Sequence, residues 1–451
     1  MSPPSIFDEH HAPAAALIDQ CVHCGFCLPT CPTYFTWREE MDSPRGRIYL
    51  MKLGAEGNAQ MTDTYVGHFD NCLGCMACLT ACPSGVQYDK LIEATRAQIE
   101  RHYARSFADR LFRRMIFALF PHPGRLRALT VPLWLYQRSG LRALVHRLGL
   151  LALLPPRLSA MESLLPELTL SGRGTRLPAL VPAHGERRRR VGLLLGCVQR
   201  VFFADVNAAT ARVLAAEGCD VIVPPEQGCC GALMVHAGME PQALDAARRL
   251  IDAFAGAEVD TIVTNAAGCG STMKEYGHLL RDDPRYAERA RALAAKCRDV
   301  SEVLAELEPR APRHSLGAPL RVAYQDACHL QHAQNVRLQP RRLLGAIPGL
   351  ELVEISDAAL CCGSAGIFNL IEPRAAADLG DRKVQACLAT EPDVIVSGNP
   401  GCVLQLRAAL ARVGRTIPVL HTIQLLDYSL RGVTHEAPRA TASGRFDPPR
   451  G

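Results

Sequence analysis

The sequence predicts an α+β multidomain protein in which a small cysteine-rich α-helical module precedes a duplicated α/β region with mostly parallel sheets. Two observations lead to this. Near the N-terminus, Cys21, Cys24, Cys27 and Cys31, and then Cys72, Cys75, Cys78 and Cys82, each follow the spacing C-x2-C-x2-C-x3-C-P. Farther along, Cys197, Cys229 with Cys230, and Cys269 recur as Cys328, Cys361 with Cys362, and Cys402, at offsets of 131, 132 and 133 residues. A chain of 451 residues that is 48% hydrophobic is long enough for two or three cores.

The paired N-terminal runs have the two-cluster ferredoxin spacing, in which three thiolates hold one 4Fe-4S cluster and the fourth crosses to the other. This assigns Cys21, Cys24, Cys27 and Cys82 to one cluster and Cys72, Cys75, Cys78 and Cys31 to the other. His23 is expected as a neighbour and not a ligand. Adjacent C-x2-C pairs suit disulfides poorly. Zinc sites ordinarily use four ligands without this interlocked tripling. Nineteen cysteines behind a Pro-rich, acid-bearing start that lacks an apolar signal region point to a reducing cytosol, where cysteine means metal or redox chemistry. The formal charge of +5 is mild and the basic residues cluster, so nucleic-acid binding is not expected. No stretch reaches the roughly 18 apolar residues that a membrane span needs.

Forty residues separate Cys31 from Cys72, and helix-compatible segments such as Arg47 to Lys52 lie between them, so the module (10–100) is expected to be of the α-helical type. Asp42-Ser43-Pro44-Arg45-Gly46-Arg47 reads as a turn that starts a helix, with its arginines near the anionic clusters. A further helix is expected from Tyr88 toward Ala108. Next comes a basic segment and linker (101–190). From Arg101 to Arg157 there are eleven arginines and one acid, Asp109, among aromatic and aliphatic residues. Such a sequence suits an anionic membrane surface or a partner subunit. Pro121, Pro123, Pro132, Pro155 and Pro156 are expected to break it into short helices, and Leu170 to Arg190 reads as the linker proper.

Beyond it, short apolar runs alternate with helical stretches: Arg190 to Cys197, Asp220 to Pro224 and Asp260 to Asn265, then Leu320 to Asp326, Leu350 to Ile355 and Asp393 to Ser397. The near-constant cysteine offsets make this an internal duplication (191–315 and 316–430), ahead of a flexible tail (431–451). Buried strands in βαβ units should be parallel, and all the repeated cysteines fall at strand carboxyl ends, where open α/β sheets bind ligands. Four thiolates per half suffice for a further cluster at Cys197, Cys229, Cys230 and Cys269 or at Cys328, Cys361, Cys362 and Cys402. Cys219, Cys297 and Cys387 are expected as small buried hydrophobes.

A two-cluster module followed by two CCG-type repeats resembles the iron-sulfur subunits of glycolate oxidase (glycolate dehydrogenase), and also those of anaerobic glycerol-3-phosphate dehydrogenase and heterodisulfide reductase. The resemblance covers about residues 10 to 430. It implies a subunit without catalytic residues that passes electrons from an FAD-containing partner, oxidising glycolate to glyoxylate, toward a quinone-type membrane acceptor. It also implies a cytoplasmic location at the inner membrane face. Thr272 and Gln405 stand where the fullest CCG pattern has a final cysteine, which argues against a five-cysteine cluster. No G-x-G-x-x-G follows a strand, so substrate oxidation belongs on another chain. The alternatives are a lactate or glycerol-3-phosphate dehydrogenase subunit, a thiol reductase working at the CCG cysteines, or a scaffold with structural clusters.

Overall fold

The computed structural model describes residues 4–168, 177–317 and 319–433. Among these, the N-terminal module is helical throughout, with helices Pro32–Trp37, Pro44–Ala55, Asp63–Asp70, Ala77–Ala81 and Tyr88–His102. The Asp42-Ser43-Pro44 turn starts its helix for a local reason: the Ser43 hydroxyl accepts from Gly46 N at 3.0 Å, and Pro44 occupies the first turn. Gly46 is required, because a Cβ there would lie 2.0 Å from the Glu40 carbonyl oxygen. Ile48, Met51, Tyr65, Phe69, Leu91, Ile92 and Ile99 fill the space between these helices.

The long helix expected toward Ala108 ends at His102. Tyr103 turns extended, and Arg105 folds back to pair with Asp70 at 2.8 Å and Glu100 at 2.6 Å. Ser106 then caps a new helix, Phe107–Leu119, by accepting from Asp109 N. Pro132 does not break the linker as expected: it sits inside the helix Pro123–Arg138, which still turns Leu126 and Thr130 inward. Asp109, the lone acid, is the hub of the segment, accepting from Arg113 at 2.9 Å and Arg157 at 2.7 Å. Ile116 and Phe117 pack inward against Cys197, Cys229, Met234 and Ile367.

The stretch read as linker at Leu170 to Arg190 is only partly one. Residues 169–176 lie outside the described residues, but β1 (Leu180–Val181) already pairs with the first sheet, and β2 (Arg189–Leu193) begins inside the stretch. That sheet continues with β3 (Cys219–Ile222), β4 (Thr261–Thr264) and β5 (Cys297–Asp299), in the order β1-β3-β2-β4-β5. The second holds β6 (Leu320–Gln325), β7 (Leu350–Glu354), β8 (Val394–Ser397) and β9 (Val419–His421), in the order β7-β6-β8-β9. Apart from the antiparallel β1, every pairing is parallel, and the two orders superimpose as β3-β2-β4-β5 on β7-β6-β8-β9. The duplication is therefore one of backbone topology as well as of cysteines. Val191, Leu193 and Val221 of the first half share one core with Val322, Val394 and Val396 of the second. Cys219, Cys297 and Cys387 are fully buried in apolar surroundings. From residue 434 on, the expected tail lies outside the described residues.

Candidate metal centres

The two N-terminal cysteine loops are built alike. In the first, His23 and Gly25 take left-handed conformations (φ 53° and 87°), and in the second Gly74 and Met76 do so (φ 58° and 61°), each pair flanking the second cysteine of its run. These reversals curl the loop so that its thiols converge. Cys82 lines the same cleft as Cys21, Cys24 and Cys27, with Arg45 and Pro83 at its edge and Cys78 bordering it. This outer group meets solvent: Cys24 is exposed, and Val22 and Phe26 beside it are 68% and 67% exposed. The His23 carbonyl accepts from Arg45 at 3.0 Å.

Cys31, Cys72, Cys75 and Cys78 are all buried. Two buried arginines serve this inner group. Arg47 bonds the Thr33 hydroxyl at 3.3 Å and Asp42 at 3.0 Å; Arg96 donates to the Phe69 carbonyl at 3.3 Å and to that of Cys72. Burial raises the Cys72 thiol, but Arg47 and Arg96 outweigh it and hold this thiol below its usual range, while burial pushes Cys75 and Cys78 well above theirs. In the outer group burial pushes Cys27 up to about 11. Iron, sulfide and four thiolates together are anionic, so buried guanidinium groups beside buried cysteines fit such a cofactor.

In the duplicated region each CCG turn is held by a left-handed glycine, Gly231 (φ 85°) or Gly363 (φ 87°), pressed against the carbonyl of Ala243 or Ala376. In the second repeat Cys328 Sγ lies 3.9 Å from Cys361 Sγ, and Asn399 donates to Cys402 Sγ at 3.4 Å. Cys197, Cys229 and Cys230 are likewise buried in the first repeat, and Cys269 is half-buried. At the final CCG position Gln405 is buried, donating to the Ala376 carbonyl at 2.7 Å and accepting from Asn369 at 3.1 Å. An amide tied to the backbone thus occupies the place of a fifth thiol.

The structure joins the modules unevenly. Cys75 packs in one apolar cluster with Leu73, Cys328, Cys361 and Phe368, bringing the inner group against the second repeat. His332, just after Cys328, reinforces the contact through Thr80 at 2.8 Å. His236 and His329 meet edge to face at 4.8 Å beside Gly74, and burial keeps both neutral, His329 at about 4. Sequence reasoning missed Arg96, these histidines and Lys383, which is buried beside Cys361 and Cys362. A charge on the buried stripe Leu91, Ile92, Arg96, Ile99 was the available signal.

Comparison with known proteins agrees with this architecture. Family profiles described as a 4Fe-4S dicluster domain, the linker region of the glycolate oxidase iron-sulfur subunit and a cysteine-rich domain match residues 17–86, 108–165, and both 191–274 and 322–407. The probable glycolate oxidase iron-sulfur subunit of Bacillus subtilis is 41% identical over 92% of this chain and 94% of its own length. The glycolate oxidase iron-sulfur subunit of Escherichia coli is 37% identical over 92% and 95%. Lactate utilization protein A of Geobacillus thermodenitrificans is 30% identical, covering 53% of this chain and 99% of its own. The chain belongs to the family of glycolate oxidase iron-sulfur subunits, electron-transfer components of an oxidoreductase.

Proposed function

We propose that this chain carries electrons within a glycolate dehydrogenase complex, from an FAD-containing partner subunit that oxidises glycolate to glyoxylate toward a quinone-type acceptor at the membrane. The observation that supports this most is the unbroken sequence of cysteine groups, from the exposed outer one through the buried inner one to the second repeat. Cys21, Cys24, Cys27 and Cys82 would hold the outer cluster, and Cys72, Cys75, Cys78 and Cys31 the inner one. Cys328, Cys361, Cys362 and Cys402 would hold a further centre. Bound by these residues, the clusters supply one-electron carriage. Val22 and Phe26 give a flavin partner an apolar seat beside Cys24.

The linker supplies the membrane-facing side of the proposal. Phe107, Leu111, Leu135, Leu144, Leu148 and Leu153 are exposed there, interspersed with exposed Arg110, Arg114, Arg138 and Arg147. No helix among the described residues is long and apolar enough to cross a membrane. Each basic side chain near an anionic surface adds about 1 kcal/mol, and salt screens it. Membrane association that is present at low salt and lost at high salt is expected; a chain that stays unbound at all salt levels with its partner present contradicts this part.

Anaerobically purified protein should contain about eight iron in the N-terminal module, and Cys27→Ser and Cys78→Ser should each remove about four. Iron content unchanged in the double variant refutes the ligand assignment. The lactate utilization relatives favour a second reading in which the complex oxidises lactate. Turnover of the complex with its flavin partner on glycolate against lactate separates the two.

A further inference from the structure

We propose that Arg96 holds up the reduction potential of the inner cluster, so that this cluster accepts an electron before the outer one does. The inference rests on Cys72, Cys75, Cys78 and Cys31 binding that cluster. Arg96 is 9% exposed on the helix Tyr88–His102 and gives its guanidinium to main-chain carbonyls of the Cys72 loop and of Phe69. Among the described residues no carboxylate lies within ion-pair distance of it; the Glu93 carboxyl three residues earlier on the helix feels its charge, but burial pushes that group up to about 7. Arg47, by contrast, shares its charge with Asp42 at 3.0 Å, and Arg45 at the outer group is paired with Glu40 at 2.7 Å in contact with water.

A buried, unpaired cation is costly unless a negative group lies beside it. The thiolate-bound cluster is such a group, and reduction makes it more negative by one charge, with no bond formed or broken. Burial alone would oppose that step and solvent would favour it at the outer group. Arg96 reverses the order, because its charge acts in a medium that screens poorly, whereas water and Glu40 screen Arg45. The position of Arg96 is also fixed from outside the module. Gly238 of the first repeat lies so close that a Cβ there would be 2.3 Å from the Arg96 carbonyl oxygen, and a Cβ on Gly74 would be 3.2 Å from the guanidinium. The first repeat thus fixes the main chain at Arg96, and Gly74 leaves room for its guanidinium beside the Cys72 loop.

The test is an EPR-monitored redox titration of the full chain in its complex, with dithionite as reductant. Cys78→Ser identifies the inner wave by its loss, and Cys24→Ser the outer one. In the wild type the inner wave should lie at the higher potential. Arg96→Gln, which keeps amide donors for the carbonyls but removes the charge, should move the inner wave to lower potential and leave the outer one in place. Arg96→Lys, which keeps the charge with fewer donors, should restore most of the shift. An inner wave unmoved by Arg96→Gln, or moved equally by both substitutions, overturns the proposal. A Cys78→Ser variant that loses no wave relative to the wild type instead refutes the ligand assignment beneath it.

Discussion

At the CCG turn the first repeat packs Cys230 against Leu250 and other apolar side chains, whereas the second sets a buried amine and the N-terminal module beside its cysteines. The helix Glu240–Ala255 buries Ala243, Ala246, Ala247, Leu250, Ile251 and Phe254; the helix Pro373–Leu388 buries Ala376, Leu379, Gly380, Lys383, Val384 and Cys387. The two stripes correspond position by position, and Lys383 stands where the first repeat has Leu250. Lys383 is 2% exposed and donates to the carbonyls of Asp357 and Ala358, with no ion pair among the described residues. Hydrogen bonds from Cys361 and Cys402, helped by Lys383, hold the Cys362 thiol well below its usual range. Its counterpart Cys230 packs against Leu250 and stays well above, the contact with Cys269 and burial outweighing a hydrogen bond from Cys229. Duplication thus kept the backbone scaffold, while one inward-facing position and the choice of docking neighbour made the two sites different. Among the described residues the first meets the Cys72 loop at Gly74 through His236, while the second shares an apolar cluster with Cys75 of that loop.

The largest effect should come from breaking that contact. Cys361→Ser should slow reduction of a quinone analogue by the complex at least about tenfold, while Cys229→Ser should leave most of the rate, as steady-state assays with glycolate would measure. Exchanging the distinguishing residue should show next. Leu250→Lys buries a cation among apolar groups and should cost about 3 kcal/mol or more, read from the denaturant midpoint. Lys383→Met should change the stability of the cluster-free chain by only about 1 kcal/mol, because it removes two hydrogen bonds and a buried charge together.

The repeats are also joined, and that seam should be sensitive to pH. His421, at the end of β9, donates through Nε2 to the Asn265 carbonyl at 2.9 Å and accepts from Ile423 N at Nδ1 at 3.2 Å, so its neutral form is satisfied on both sides. Burial lowers its pKa from 6.5 to about 4. The unfolded chain then binds the proton more readily, and stability is complete above the unfolded value and declines as pH falls toward the folded one. The loss should reach on the order of 3 kcal/mol for this group. Thermal unfolding of His421→Gln should show a shallower decline over that window than the wild type, from a lower starting stability.

How much of this was readable beforehand depended on whether the signal was local. Cysteine spacing specified the two cluster runs, and the offsets of the later cysteines specified the duplication and its parallel strands, because both are carried by residue type and interval. The end of the helix at His102 was less apparent, although Ser106 with Asp109 three residues later is a capping signal. Pro132 misled because a proline inside a helix is tolerated where flanking residues such as Leu126 and Thr130 still pack. The short strands β5 and β9 have too few residues to show alternation. Arg96 and Lys383 were harder to read for a different reason, although a charge on an apolar stripe was a signal for Arg96. On a helix a charged residue reads as solvent-facing, and what buries these two is partners distant in sequence, the Phe69 and Cys72 carbonyls for Arg96 and those of Asp357 and Ala358 for Lys383.

The central claim is that the second repeat, and not the first, continues the path from the inner cluster. Its most direct test is EPR of the fully reduced, anaerobically purified chain together with its iron content. The account predicts more than about eight iron in the wild type, with dipolar broadening of the inner-cluster signal that survives Cys229→Ser and disappears in Cys361→Ser. Broadening that disappears in Cys229→Ser and survives Cys361→Ser would contradict it, as would a wild type holding no more than about eight iron.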